Sequence, residues 1–210
     1  MSKLIEDPYG VPRIVSILSS LLQRVADRND ATRPGLLRPT TACSAFQGLS
    51  KPSISVRGYL ERIFRYANCS PSCYVVAYIY LDRFLHRNPA VSIDSFNVHR
   101  FIITSVLAAV KFMDDIYYNN TYFAKVGGIS LMEMNYLEVD FLFGVGFELN
   151  VTPVTFNSYC SILQKEIYAS DLSQAPPRAI LCSLSEDEPS SCQQQQQQTQ
   201  QLAVREVFGT

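Results

Sequence analysis

Residues Asp94–Met113 read DSFNVHRFIITSVLAAVKFM, and this stretch decides the fold. Asp94 is placed to cap a helix, its carboxylate accepting free backbone N–H groups of the first turn. Phe101, Ile102, Ile103, Val106, Leu107, Ala108, Ala109 and Val110 follow, and they leave no face of a 3.6-residue wheel polar. A helix apolar all round is enclosed by other helices or by lipid. Lipid is not expected here, because Arg100 and Lys111 leave a run well short of the ~20 apolar residues of a membrane span. The stretch is therefore expected to be the central helix of an all-α domain, ~30 Å long at ~1.5 Å per residue. Lys111 stands where the apolar run ends.

The chain has 210 residues, 47% of them hydrophobic, which suffices for one domain with a sizeable core plus tails. Its 18 basic and 19 acidic residues nearly cancel, so neither a nucleic acid nor an anionic membrane is expected as the main partner. The six cysteines form no CxxC, and with only His86 and His99 beside them no metal site is expected. MSKLIEDPYG at the N-terminus lacks the apolar run of a signal peptide. Free thiols and a nuclear or cytoplasmic residence, not secretion, follow as expectations. On that footing the glycosylation pattern at Asn68, Asn119 and Asn150 is a chance match.

The first ten residues read as a tail. Over residues 11–27, Val11, Ile14, Val15, Leu18, Leu21, Leu22 and Val25 recur at the spacing of an amphipathic helix, with Pro12 in its first turn. Residues 28–52 hold Asn29, Asp30, Pro34, Gly35, Pro39 and Pro52 and read as a linker with little regular structure. SISVRGYLERIFRYA, from Ser53, is a second helix with Val56, Tyr59, Leu60, Ile63 and Phe64 on one face and Glu61 and Arg65 opposite. Gly58 in its interior suggests close approach of another backbone. Ser70-Pro71 opens a third helix that stops at Asn88-Pro89. Ser70-Pro71 and Thr152-Pro153 also match proline-directed phosphorylation sites, but both are better read as helix starts. Asp82 lies between Leu81 and Phe84, and a buried carboxylate needs a partner, for which Arg57 and Arg83 are candidates.

Beyond the central helix, YYNN and Gly127-Gly128 bracket a short helical piece near Thr121–Val126. Ser130 and Glu133 form a capping box before LMEMNYLEVDFLFGVGF, whose Leu131, Met134, Leu137, Phe141 and Leu142 are expected to face the core. Gly144 and Gly146 end that helix, and Thr152-Pro153 opens another over 151–170. From 171 to 210, Pro176-Pro177, SEDEPSS and a Gln run read as a disordered tail. No P-loop, HExxH or GxSxG occurs, and Gly144-Val145-Gly146 follows no strand, so neither catalysis nor a cofactor is expected.

VRGYLERI, VVAYIYLDRFL, LAAVKFMDD and MNYLEVDFLFGVGFEL, in this order over residues 53–150, resemble the cyclin box. YLDRF, SFNVHR, YYNN and AKVGGIS look closest to the plant U-type, or P-type, cyclins, which are similar to the fungal phosphate-pathway cyclins. The resemblance implies a five-helix bundle, with an extra helix before it and one after. It implies a non-catalytic regulatory subunit that binds and activates a cyclin-dependent protein kinase, in cell-cycle or phosphate-linked control. A cyclin-fold scaffold acting without a kinase is the alternative. By the same resemblance, Lys111 in AAVKF and Glu138 in YLEVDFL match the family's kinase-contacting Lys and Glu, while Arg57 and Asp82 match an internal ion pair. The Trp of many cell-cycle cyclins is missing from the first box helix, where Ile63 stands near its place, so the resemblance does not carry over their substrate-docking groove.

Overall fold

The central helix forms as α4, Val98–Met113, in a computed structural model that describes residues 11–32 and 44–172. It starts later than expected. Asp94 Oδ1 accepts the N–H groups of Phe96 (2.8 Å) and Asn97 (3.1 Å), which closes a turn ahead of the helix. Asn97 takes the N-cap position instead. A short acidic side chain bonding its own backbone competes with helix in this way. From Phe101 to Val110 every residue of α4 is buried. The two hydroxyls among them bond carbonyls of their own helix, Thr104 to Arg100 (2.7 Å) and Ser105 to Ile102 (3.0 Å), so enclosure strands no polar group.

Four helices pack on α4: α2 (Val56–Ala67), α3 (Pro71–Arg87), α5 (Asn120–Gly127) and α6 (Leu131–Gly144). Together they make the expected five-helix bundle. It is flanked by α1 (Arg13–Thr32), which packs on α2 and α3, and by α7 (Pro153–Leu172), which packs on α1 and α3. No strand occurs among the described residues, and the fold is all-α. The stripe of α1 is covered by the domain itself: Ile14, Val15, Leu18, Leu21 and Leu22 are buried. Arg24 on α1 and Glu166 on α7 form an ion pair at 2.7 Å.

The linker reading of 28–52 needs correction at both ends. Helix α1 runs on to Thr32, and Ser44–Phe46 forms a 3-10 turn. Phe46 is 1% exposed and stacks on Phe101, with ring centroids 4.2 Å apart. Its ring also meets Phe84 and Phe141, so one residue from an irregular segment joins α3, α4 and α6. Residues 1–10, 33–43 and the tail from 173 lie outside the described residues.

Gly58 is also corrected. A Cβ there would meet only the side chains of Ser55 and Ile54, at 3.3 and 3.4 Å, and no other helix approaches. The close approach is at Gly144, where a Cβ would overlap the Phe84 ring, so glycine at the end of α6 lets that ring pack against backbone. Deleting the Phe46 ring should cost ~3–5 kcal/mol of unfolding free energy in urea titration, the usual range for a buried Phe. Leu49→Ala, three residues on and fully exposed, should change it by less than ~0.5 kcal/mol.

Candidate functional site

Lys111 and Glu138 are 27 residues apart in sequence, and the fold brings them together. Lys111 Nζ donates to Glu138 Oε1 at 2.6 Å. Lys111 is in the last turn of α4, where a cation also suits the helix dipole, and Glu138 is midway along α6. The α4–α6 packing that sets this distance is anchored at the other end by Arg100, whose Nε donates to Glu133 Oε1 at 2.9 Å. That pair takes the Glu133 carboxylate to Arg100, and only half of the expected capping box is seen: Ser130 Oγ accepts from the Glu133 N–H at 3.0 Å. A charged partner outweighs a local cap. The side chains of Lys111 and Glu138 remain 31% and 14% exposed, which leaves the pair at the surface yet shielded on one side. Glu138 Oε2 also accepts from Asn120 Nδ2 at 2.7 Å. Nothing in the sequence marks Asn120 for this role.

The Arg57–Asp82 ion pair does not form. Arg57 lies on the outer face of α2, its side chain 70% exposed, and bonds Glu61 one turn along at 2.9 Å. Arg83, the other candidate, donates to the carbonyls of Glu148 and Asn150, both at 2.8 Å. Asp82 accepts instead from the Tyr159 hydroxyl of α7 at 2.6 Å. Burial pushes Asp82 above the usual carboxylate range, with the Tyr159 hydrogen bond and nearby His86 pulling the other way. A phenol satisfies the carboxylate at lower desolvation cost than a second buried charge. The signal missing from the sequence is the register of α7, which no local pattern fixes.

The outer side of α6 has no cover among the described residues. Met132, Tyr136, Val139 and Phe143 recur at helical spacing there and are exposed. Leu131, expected in the core, is 43% exposed, whereas Met134, Leu137 and Phe141 are buried as expected. Phe147, just past the helix, has φ +58° and is 57% exposed. The left-handed region is costly for so bulky a residue and is held by its surroundings. Arg83 grips the following carbonyls, and Arg87 pairs with Glu148 at 2.8 Å. The Phe143 and Phe147 rings meet edge to face, 5.1 Å apart.

Among the described residues the cysteines and His99 are inward. Cys69, Cys73 and Cys160 are free and buried, and burial pushes the thiols of Cys69 and Cys160 up to about 12, far from thiolate chemistry at neutral pH. His99 Nε2 meets the Ile54 carbonyl at 2.9 Å, and burial lowers its pKa, so it is a neutral core histidine that donates there. Among the described residues no three His, Cys, Asp or Glu side chains gather as a metal site, and no helix is long and apolar enough to cross a membrane.

A family model described as Cyclin matches residues 12–149. The chain belongs to the cyclin family. It is 66% identical over 185 residues to Cyclin-P4-1 of Oryza sativa subsp. japonica, covering 85% of this chain and 86% of the relative. It is 57% identical over 203 residues to Cyclin-U4-1 of Arabidopsis thaliana, covering 95% and 98%. Cyclin-U1-1 of Arabidopsis thaliana is 40% identical over 162 residues, covering 77% of each chain. These relatives place the chain among the plant U-type, or P-type, cyclins. The match begins at residue 12, so in this cyclin the family likeness takes in α1 as well as the five-helix bundle.

The corrected partner of Asp82 changes what substitution should do to this cyclin. The raised pKa means that the folded chain holds the Asp82 proton more tightly than the unfolded chain does. That contribution is fully present below the unfolded value of ~3.9 and is lost as pH rises through the folded value. Asp82→Asn keeps an acceptor for Tyr159 without the charge. Its melting temperature should match or exceed wild type at pH 7, with the difference closing toward pH 4 in thermal scans. Asp82→Ala takes this acceptor away from Tyr159 and should lose ~1–3 kcal/mol near pH 4, with a smaller loss at pH 7.

Proposed function

We propose that this cyclin binds a cyclin-dependent protein kinase and switches it on, contributing no catalytic group of its own. The observation that carries this reading is the Lys111–Glu138 pair, closed at 2.6 Å across two helices and left partly exposed beside an uncovered apolar helix face. α6 is apolar on nearly all sides, yet among the described residues only the side bearing Met134, Leu137 and Phe141 is buried. A helix of that kind wants cover on its other side as well. Exposed Tyr136, Phe143 and Phe147 are anchors of the type that dominates protein interfaces, and a charge pair at the edge fixes register.

A kinase fits such a face through a mobile regulatory helix that must be held in place to assemble its catalytic Lys–Glu pair. Binding only the assembled state shifts the population toward it, by as much as the difference in affinity between the two states. The scaffold alternative shares the surface but predicts no kinase activity in the complex.

Recombinant Arabidopsis cyclin-dependent kinases, assayed singly by interferometry and histone phosphorylation, test this. At least one should bind the full-length chain and gain activity; no gain from any of them would leave the scaffold reading. Lys111→Ala with Glu138→Ala should weaken that binding by ~2–5 kcal/mol while the melting temperature stays near wild type. Wild-type binding by the folded double variant would remove the pair from the interface.

A further inference from the structure

Asn120 occupies the first position of α5, and its amide lies between two acceptors. Nδ2 donates to Glu138 Oε2 at 2.7 Å and to Asn135 Oδ1 at 2.8 Å. Glu138 Oε1 takes the Lys111 ammonium at 2.6 Å. The two carboxylate oxygens are thus engaged from two different helices, α4 and α5, on the two sides of one group. Turned over, the Asn120 amide would aim its oxygen at both acceptors, so this orientation is the one the site permits. The Oδ1 atom is buried and has no partner among the described residues, so nothing on that side competes with the grip on Glu138. The backbone beneath is fixed as well: Asn119 Oδ1 accepts from the Tyr122 N–H at 3.1 Å and starts the helix.

We propose that Asn120 is a positioning residue for the Lys111–Glu138 pair and acts on partner recognition through Glu138. A carboxylate held by one ammonium alone turns about its side-chain bonds and carries the ammonium with it. A second, directional donor on the other oxygen fixes the plane of the carboxylate. Lys111 is then held at one place on the surface, with two of its three N–H bonds left for acceptors on the partner, either backbone carbonyls or a carboxylate. Preorganisation of this kind improves affinity without adding a contact. The inference rests on the kinase reading above.

The test is a double-mutant cycle on the full-length chain, with the dissociation constant measured against the Arabidopsis kinase that the wild type binds. Asn120→Ala should weaken binding about tenfold, the scale of a lost hydrogen bond to a charged group. It should add almost nothing once Glu138 is Ala, because the group it acts through is gone. Asn120→Asp keeps the size and the helix start but replaces the donor with an acceptor, and should weaken binding at least as much. Wild-type affinity in either single variant overturns the proposal. So does an equal loss with and without Glu138, which would make Asn120 a merely structural residue. If Lys111→Ala with Glu138→Ala binds normally, or no kinase binds the wild type, the kinase reading fails and takes this proposal with it. If that double variant loses binding while Asn120→Ala keeps it, only the role of Asn120 falls.

Discussion

From Phe101 to Val110 every residue of α4 is buried, and this enclosure positions everything else. A helix with one polar stripe can rest on a single neighbour. α4 has none, and α2, α3, α5 and α6 must surround it together. Phe46 completes the enclosure where helices alone leave a gap, stacking flat on Phe101. Since interiors are packed as densely as crystals, each surrounding helix is held at a fixed distance and angle from α4. The side chains at the outer rim, Lys111 among them, inherit that fixity.

What the sequence makes legible is whatever repeats. Ile14, Leu18, Leu21 and Leu22 on α1, and Met134, Leu137 and Phe141 on α6, declare a buried face by recurring every three or four residues. Phe46 does not, because a lone ring in a segment rich in Pro and Gly has no period to betray it. Competition between partners is equally hidden. Glu133 has the right spacing to complete a capping box with Ser130, but folding offers it Arg100, and the charged pair prevails. The apolar neighbours of Asp82 mark it as a carboxylate in need of a partner. That the partner is Tyr159, 77 residues away, depends on where α7 lands, and no residue near Asp82 records that.

The Lys111–Glu138 pair stands between these cases. Neither residue is conspicuous alone, since a lysine at a helix C-terminus and a glutamate on a helix flank are both ordinary. Resemblance to the cyclin box singles out both positions in the sequence, and the packing of α4 on α6 brings them into contact. The same resemblance singles out Arg57 and Asp82, and there the contact is absent. The difference is physical. Lys111 and Glu138 sit on helices that pack directly, whereas Arg57 points outward from α2 and finds Glu61 first. A pattern of residues carries over to a new chain only as far as the helices that bear them face each other.

The exposed side of α6 bears on the regulatory role of a cyclin. Met132, Tyr136, Val139 and Phe143 would lower the free energy by leaving water, yet among the described residues nothing covers them. That unsatisfied area is a reservoir of binding energy, open to whichever conformation of a partner can cover it. A flexible surface would spend much of it on ordering itself. Here little ordering remains to be done: α6 is fixed against α4, Phe147 is clamped in an unfavourable backbone conformation by Arg83 and Arg87, and the pair at the edge is closed before any partner arrives. The energy of contact is then available to choose between states of the partner, which is what a regulatory subunit needs and all that it needs.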